Sequence, residues 1–215
     1  MSDSIVVLTK DPSKGQVKTR LAIDIGDDAA VALHEAMVWE TLDRVRPCGL
    51  PIRVSLHGQL NGAFANQIRC SGFEVEPQIE GDLGAKLAHA MRPPGKHFAV
   101  GTDCVVFNPE WLQTAITAPA SVVMGPTEDG GYWLIGADLG DTDLAEILFA
   151  GMRWSVPTVA STTLHRLQHA SRSVQLLPEC YDIDTLSDLR RLVSDRRCVG
   201  RIRAVLNGIS VLNRP

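Results

Sequence analysis

The chain has 215 residues, of which 45% are hydrophobic and 21% charged, and its formal net charge is −4. That length is enough to bury a full core, and the composition excludes a disordered chain. The acidic balance argues against bulk nucleic-acid binding, so no nucleic-acid partner is expected, while a local basic site stays open.

Residues 5–8 (Ile-Val-Val-Leu) form a continuous β-branched run, the pattern of a strand buried on both faces. Residues 27–46 read as a helix, because Ala30, Leu33, Met37, Val38, Leu42 and Val45 recur every three or four positions, and Pro47, Gly49 and Pro51 close it. A second strand is expected over 52–56, a short helix over 63–70, a third strand over 73–76 and a helix over 83–91 ending before Pro93-Pro94-Gly95. A fourth strand over 98–100 leads to a helix starting near Pro109, a favourable first-turn residue. Strands over 121–124 and 132–135 follow, then helices over 144–149 and 158–169, a late strand over 174–177 and a helix over 186–193. This alternation predicts a single α/β domain over 1–215, a doubly wound, mostly parallel sheet flanked by helices. Ligands bind such sheets beyond the carboxyl ends of the strands. The tail, 199–215, carries Ile202, Val205, Leu206, Ile209, Val211 and Leu212 and either docks on the parent domain or packs against a second copy in a homodimer.

Five motifs carry chemistry-bearing residues at those strand ends. After the first strand, Lys10, Lys14, Lys18 and Arg20 fall close together with Pro12 and Gly15 between them, a basic loop suited to phosphate oxygens or simply to solvent. It lacks the spacing of a P-loop. In Gly101-Thr102-Asp103-Cys104, Asp103 lies just past a buried strand, where a carboxylate can hold Mg²⁺ against a phosphate. A capping role is less natural there, since the next helix begins near Pro109. In Glu80-Gly81-Asp82-Leu83-Gly84, either Asp82 caps the following helix or the glycines lie against a nucleobase or ribose. In Asp182-Ile183-Asp184-Thr185, two carboxylates on one side of an extended segment can complete a metal site, while Thr185 and Asp188 fit a capping box. Between two apolar runs, Gly125 to Gly136 places Glu128, Asp129 and the pair Gly130-Gly131 ahead of Tyr132, either a glycine hairpin turn or a substrate-facing wall. Trp154-Ser155 reads first as core packing at a helix entry. His165 and His169, four apart on a helix, read as a surface pair.

The five cysteines (Cys48, Cys70, Cys104, Cys180 and Cys198) are widely spaced with no Cys-x-x-Cys pair, so a cytoplasmic, reduced protein is expected. The start carries no signal-peptide pattern, and no segment approaches the about 20 apolar residues of a spanning helix, so no membrane partner is expected.

Taken in order, Pro12-x-x-Gly15-x-Val17-Lys18-Thr19-Arg20-Leu21, Gly81-Asp82-Leu83-Gly84, Gly101-Thr102-Asp103-Cys104, Gly125-Pro126-x-x-Asp129-Gly130-Gly131-Tyr132, Trp154-Ser155 and Asp182-Ile183-Asp184-Thr185-x-x-Asp188-Leu189 resemble a bacterial transferase family. That family is labelled radical-SAM/selenodomain-associated transferase or GT-A glycosyltransferase, within the nucleotide-diphospho-sugar transferase superfamily. The resemblance runs from Ile5 to about Leu192, and the Lys18–Leu21 block also resembles 2-phospholactate guanylyltransferase. Two positions depart from the family pattern, Val105 where it has Pro and Lys86 where it commonly has Arg. The resemblance implies a nucleotide donor, either an NTP or a nucleotide-diphospho-sugar, a small-molecule acceptor, and Mg²⁺ or Mn²⁺. By it Lys18 and Arg20 hold phosphates, with Lys14, Gly15, Gly81, Asp82, Gly84 and Lys86 on the nucleotide side. Asp103 holds the metal with Asp182 or Asp184, and Asp129, Gly130, Gly131 and Tyr132 face the acceptor or sugar. Nucleotidyl transfer is slightly favoured, since a basic loop of this density suits a triphosphate and the fourth strand ends in a single Asp. Glycosyl transfer is the alternative, and a nucleotide-binding protein without catalysis the remote one.

Overall fold

A computed structural model describes residues 3–92, 94–140, 143–198 and 200–213. Pro93 of the predicted break, Val199 and the last two residues of the tail, and Met1 and Ser2 at the start lie outside the described residues.

In chain order the elements are β1 (Ser4–Lys10), α1 (Thr19–Ile25), α2 (Asp27–Val45), β2 (Ile52–His57), α3 (Ala63–Cys70), β3 (Glu74–Pro77), α4 (Leu83–Ala90) and β4 (His97–Gly101). They continue with α5 (Pro109–Thr117), β5 (Val122–Pro126), β6 (Tyr132–Ala137), α6 (Leu144–Phe149), α7 (Val159–His169), β7 (Val174–Leu176), α8 (Leu186–Ser194) and α9 (Gly200–Gly208). The strands form one mixed, mostly parallel seven-stranded sheet in the order β3-β2-β1-β4-β6-β5-β7. Only β6 runs against its described neighbours, antiparallel to both β4 and β5.

Alternate residues of the central strands feed cores on opposite faces, as the pleat requires. From β4, Phe98 and Val100 join the core under α2, α5, α8 and α9, while Ala99 joins the core under α4, α6 and α7. From β5, Val123 goes to the first core and Val122 and Met124 to the second. This two-sided burial is why the strands read as unbroken apolar runs.

One element differs from expectation, and the two readings offered for the tail are decided. The basic loop after β1 is not loop throughout, because Thr19–Ile25 forms α1. The tail docks on its own domain through α9, whose Ile202 and Leu206, together with the following Ile209, are buried in the first core. Among the described residues no helix is long and apolar enough to cross a membrane.

Candidate active site

The register of the sheet places the site. Leu8 of β1 pairs in parallel with Gly101 of β4, so the chain leaving β1 and the chain leaving β4 emerge side by side at the carboxyl ends of these central strands. A cavity of about 750 Å³ opens there. Lys18, Arg20, Lys86, Asp103, Asp129, Gly131, Tyr132, Asp182 and Asp184 all line it.

At its floor, Lys18 has φ 45° and ψ 40°, a left-handed conformation uncommon for a residue with a Cβ. Its Nζ donates to Asp103 Oδ1 at 2.5 Å, to the Ile183 carbonyl at 2.6 Å and to Asp184 Oδ1 at 3.1 Å. The Lys18 side chain is only 4% exposed, against 55% for Asp103 and 44% for Asp184. Burial alone would lower the Lys18 pKa, but attraction to Asp103 and Asp184 outweighs it and raises the value. The reciprocal attraction holds the Asp103 carboxyl below its ordinary range in spite of crowding, which acts in the other direction. At Asp182 the attraction of Lys18 is outweighed. Burial, followed by the charges of Asp103, Asp129 and Asp184, pushes its carboxyl up to about 8.

Asp182 and Asp184 are held by the chain between them. Ile183 is fully buried and its N–H donates to the Asp103 carbonyl at 3.0 Å, which ties this segment to the end of β4. The segment then enters α8 through a capping box, with the Asp188 carboxylate accepting from Thr185 N–H at 2.7 Å and Thr185 Oγ1 accepting from Asp188 N–H. Capping and cavity lining therefore coexist. Asp103 does not cap α5, a task that Asn108 performs.

The glycine loop is a hairpin turn and a cavity wall together. Thr127 N–H donates to the Gly131 carbonyl and Gly130 N–H to the Thr127 carbonyl. Asp129 Oδ1 accepts from Thr127 Oγ1 at 2.6 Å and Gly131 N–H at 3.0 Å, so one carboxylate oxygen braces the turn. Oδ2 makes no hydrogen bond among the described residues. Gly130 sits at φ +88°, with its carbonyl accepting from Ala160 N–H at 2.8 Å, and this clamps the turn to the start of α7. Glu128 N–H donates to the Cys180 carbonyl, joining the same turn to the strand of chain that carries Asp182.

Other predicted residues fall elsewhere. Lys14 pairs with Asp28 on an exposed surface, and Lys14, Gly15, Gly81, Asp82, Gly84 and Gly130 do not line the cavity. Asp82 is the cap of α4, accepting from Ala85 N–H at 2.8 Å. Gly84 is a packing glycine, since a Cβ there would lie 3.0 Å from the Trp154 ring. Trp154 packs edge-on to Tyr132 as well, and its body also lines the cavity.

Sequence reasoning missed His34, which faces the cavity from α2 with Nε2 3.1 Å from the Lys10 carbonyl. Burial lowers its pKa. It sits within the helix's apolar stripe, beside Leu33 and Met37, so nothing in the spacing singles it out. Gln78 lines the same cavity. Its Nε2 donates to the Thr9 carbonyl at 3.0 Å and the Ser55 carbonyl at 2.8 Å, fixing the amide at the cavity edge.

The expected metal ligands fit a divalent cation by chemistry, being hard carboxylate oxygens with more negative than positive charge. They are not arranged as a ready cage. Among the described residues no group of three or more His, Cys, Asp or Glu side chains is placed to hold a metal, and the Lys18 ammonium lies where their oxygens converge. A second, more open cavity of about 680 Å³ between α6 and α7 includes His165 and His169, whose Nε2 atoms are 3.1 Å apart on the surface. It holds none of the predicted site residues.

A parallel sheet with one reversed strand, and a charged cleft where β1 and β4 end, define a nucleotide-diphospho-sugar transferase-like fold. The crystal structure of a protein from Desulfovibrio desulfuricans G20, provisionally named a nucleotide-diphospho-sugar transferase, superposes with a TM-score of 0.86 at 26% identity, over 99% of this chain and 97% of that one. A nucleotidyl transferase from Methanothermobacter thermautotrophicus gives a TM-score of 0.61 at 14% identity, over 89% and 95% of the two chains. The manganese complex of Rv0371c from Mycobacterium tuberculosis H37Rv gives 0.53 at 17% identity, over 91% and 100%. The latter two share the fold alone. No curated protein matches the sequence. Residues 41–156, more than half of the chain, match the family described as "Uncharacterized protein conserved in bacteria (DUF2064)", and the chain belongs to that family.

Proposed function

We propose that this chain is a divalent-cation-dependent nucleotidyltransferase that joins the nucleotidyl part of an NTP to a small phosphorylated or acidic acceptor. The observation that carries the reading is the meeting, in one cleft, of cations from the β1 side with carboxylates from the β4 side and the chain before α8. Lys10, Lys18, Arg20 and Lys86 supply positive charge for a triphosphate, and Asp103, Asp182 and Asp184 supply oxygen donors for Mg²⁺ or Mn²⁺.

An ionised phosphate or carboxylate oxygen of the acceptor attacks the α-phosphorus, the bond from that phosphorus to the bridging oxygen of the β-phosphate breaks, and pyrophosphate leaves with the bonding pair. The protein's part is mainly positioning and charge neutralisation. A bound divalent cation adds Lewis-acid neutralisation of phosphate oxygens. Arg20, 80% exposed at the cleft mouth, is free to turn its guanidinium fork to phosphate. Asp129 presents Oδ2 to an acceptor hydroxyl while Oδ1 keeps the turn in shape. Tyr132 and Trp154 give the acceptor side an aromatic wall.

A second reading, glycosyl transfer from a nucleotide-diphospho-sugar, is favoured by the name of the relative at 26% identity. The Asp103→Asn variant tests the shared basis of both. It is expected to lose metal-dependent nucleotide turnover, and unchanged turnover would refute the assignment of Asp103.

A further inference from the structure

The carboxylate nest at the cleft floor already contains a cation. Asp103 Oδ1, the Ile183 carbonyl and Asp184 Oδ1 surround Lys18 Nζ at 2.5, 2.6 and 3.1 Å. These are oxygens only, the set that Mg²⁺ and Mn²⁺ prefer at slightly shorter range. The ammonium is almost wholly shielded from solvent, whereas both carboxylates are partly open to the cleft. One lysine does not balance even the two carboxylates it touches, Asp103 and Asp184. Arg20 adds little, since it approaches Asp184 only to 3.8 Å with its side chain 80% exposed.

We propose that Lys18 is the resident counter-ion of this nest, and that the Lys18 ammonium and a divalent cation occupy the Asp103–Asp184 oxygens alternately. The inference rests on the nucleotide-and-metal reading of the cleft and adds an order to it. The same oxygens cannot serve both cations, and two positive groups at that separation repel. An incoming dication therefore expels the ammonium. Lys18 stands at the entry to α1 on a flexible four-carbon stem, so the expelled ammonium can reach into the cleft. There it meets the phosphates whose charge the loop after β1 was expected to neutralise. Lys18 thus holds the empty site together and becomes a phosphate contact only when the cation is present. Metal-free protein would then bind a nucleotide without its full set of cations, which couples the two ligands positively.

The test uses the whole 215-residue chain and Mn²⁺, first with no nucleotide and then with NTP. Free Mn²⁺ is read by electron paramagnetic resonance for the wild type, Lys18→Met and Asp103→Asn. The proposal expects Lys18→Met to bind Mn²⁺ at least tenfold more tightly than the wild type. A phosphate-binding lysine with no place in the nest would leave the affinity unchanged, and an unchanged or weaker affinity overturns the proposal. Because Lys18→Met leaves two carboxylates facing each other, a wild-type measurement runs beside it. Reductive methylation followed by peptide mass spectrometry should show Lys18 protected without metal and modified as Mn²⁺ saturates, with Lys14 and Lys86 as references. Constant protection of Lys18 through saturation also overturns the exchange. Mn²⁺ binding that needs Asp103 but ignores Lys18 would sink the exchange and leave the proposed function standing. No Mn²⁺ binding by any of these proteins, with or without NTP, would remove both.

Discussion

Two adjacent glycines make opposite predictions. Gly130 has φ +88°, and a Cβ built there would lie 1.9 Å from the Pro157 carbonyl oxygen, a backbone atom that cannot turn aside. Gly130→Ala therefore combines the left-handed penalty of about 1–2 kcal/mol with loss of the Ala160 N–H bond to the Gly130 carbonyl, about 1 kcal/mol. If the turn is pushed off α7, a total of about 2–3 kcal/mol follows from those two terms. Gly131 is different. A Cβ there would lie 3.1 Å from the Thr127 hydroxyl and 3.3 Å from Asp129 Oδ1, contacts that a shift of a few tenths of an ångström relieves, and its φ is not in the left-handed region. Gly131→Ala should cost less than about 1 kcal/mol, the scale of an ordinary substitution without a named clash. Urea denaturation of the two variants and the wild type measures both. Equal losses, or the larger loss at Gly131, would refute the clamp between the hairpin and α7.

Three further outcomes are expected. Arg20→Ala should raise the apparent NTP dissociation constant about tenfold, the value of one charge-assisted contact of about 1.4 kcal/mol, with little change in melting temperature because the side chain is exposed. Isothermal titration with an NTP and Mg²⁺ checks it, and no change would make the loop after β1 a plain surface loop. Thr185→Ala removes one half of the capping box and should destabilise the fold by about 1 kcal/mol, read as a shift of the urea midpoint; an unmoved midpoint contradicts the capping account. His97 is buried against Ser4 Oγ, and burial, then the charge of Arg53, lowers its pKa. The folded state thus binds fewer protons than the unfolded state, so this contribution is full above about pH 6.5 and is lost as pH falls below it. His97→Asn should flatten the fall in stability between about pH 6.5 and about pH 5, and an unchanged slope would contradict that sign.

Much of the architecture was legible because the central strands are buried on both faces and their helices carry periodic apolar positions. The helices over 63–70 and 144–149 fall where the pattern puts them. α1 was not legible. It is short, and it starts from a lysine in the left-handed region with no side-chain cap, where a Gly or Asn would have announced the turn. In the cleft, the positions of Asp103 and of Asp182 and Asp184 could be anticipated, since strand ends and alternation are local properties of the chain. The destination of Lys18 could not. Its partners lie 85 and 166 residues away, and the β1–β4 register together with the Ile183–Asp103 backbone bond brings them together. Asp82 shows the converse, where the local reading as helix cap was enough.

The central claim is that the cleft transfers a nucleotidyl group. The most direct measurement incubates the protein with Mg²⁺, an acceptor panel of small phosphorylated and acidic compounds, and either NTPs or nucleotide-diphospho-sugars, and identifies every product by mass spectrometry. Pyrophosphate together with an acceptor joined to a nucleoside monophosphate, lost in Asp103→Asn, is the predicted result. Nucleoside diphosphate together with a glycosylated acceptor, and no pyrophosphate from any NTP, would contradict it.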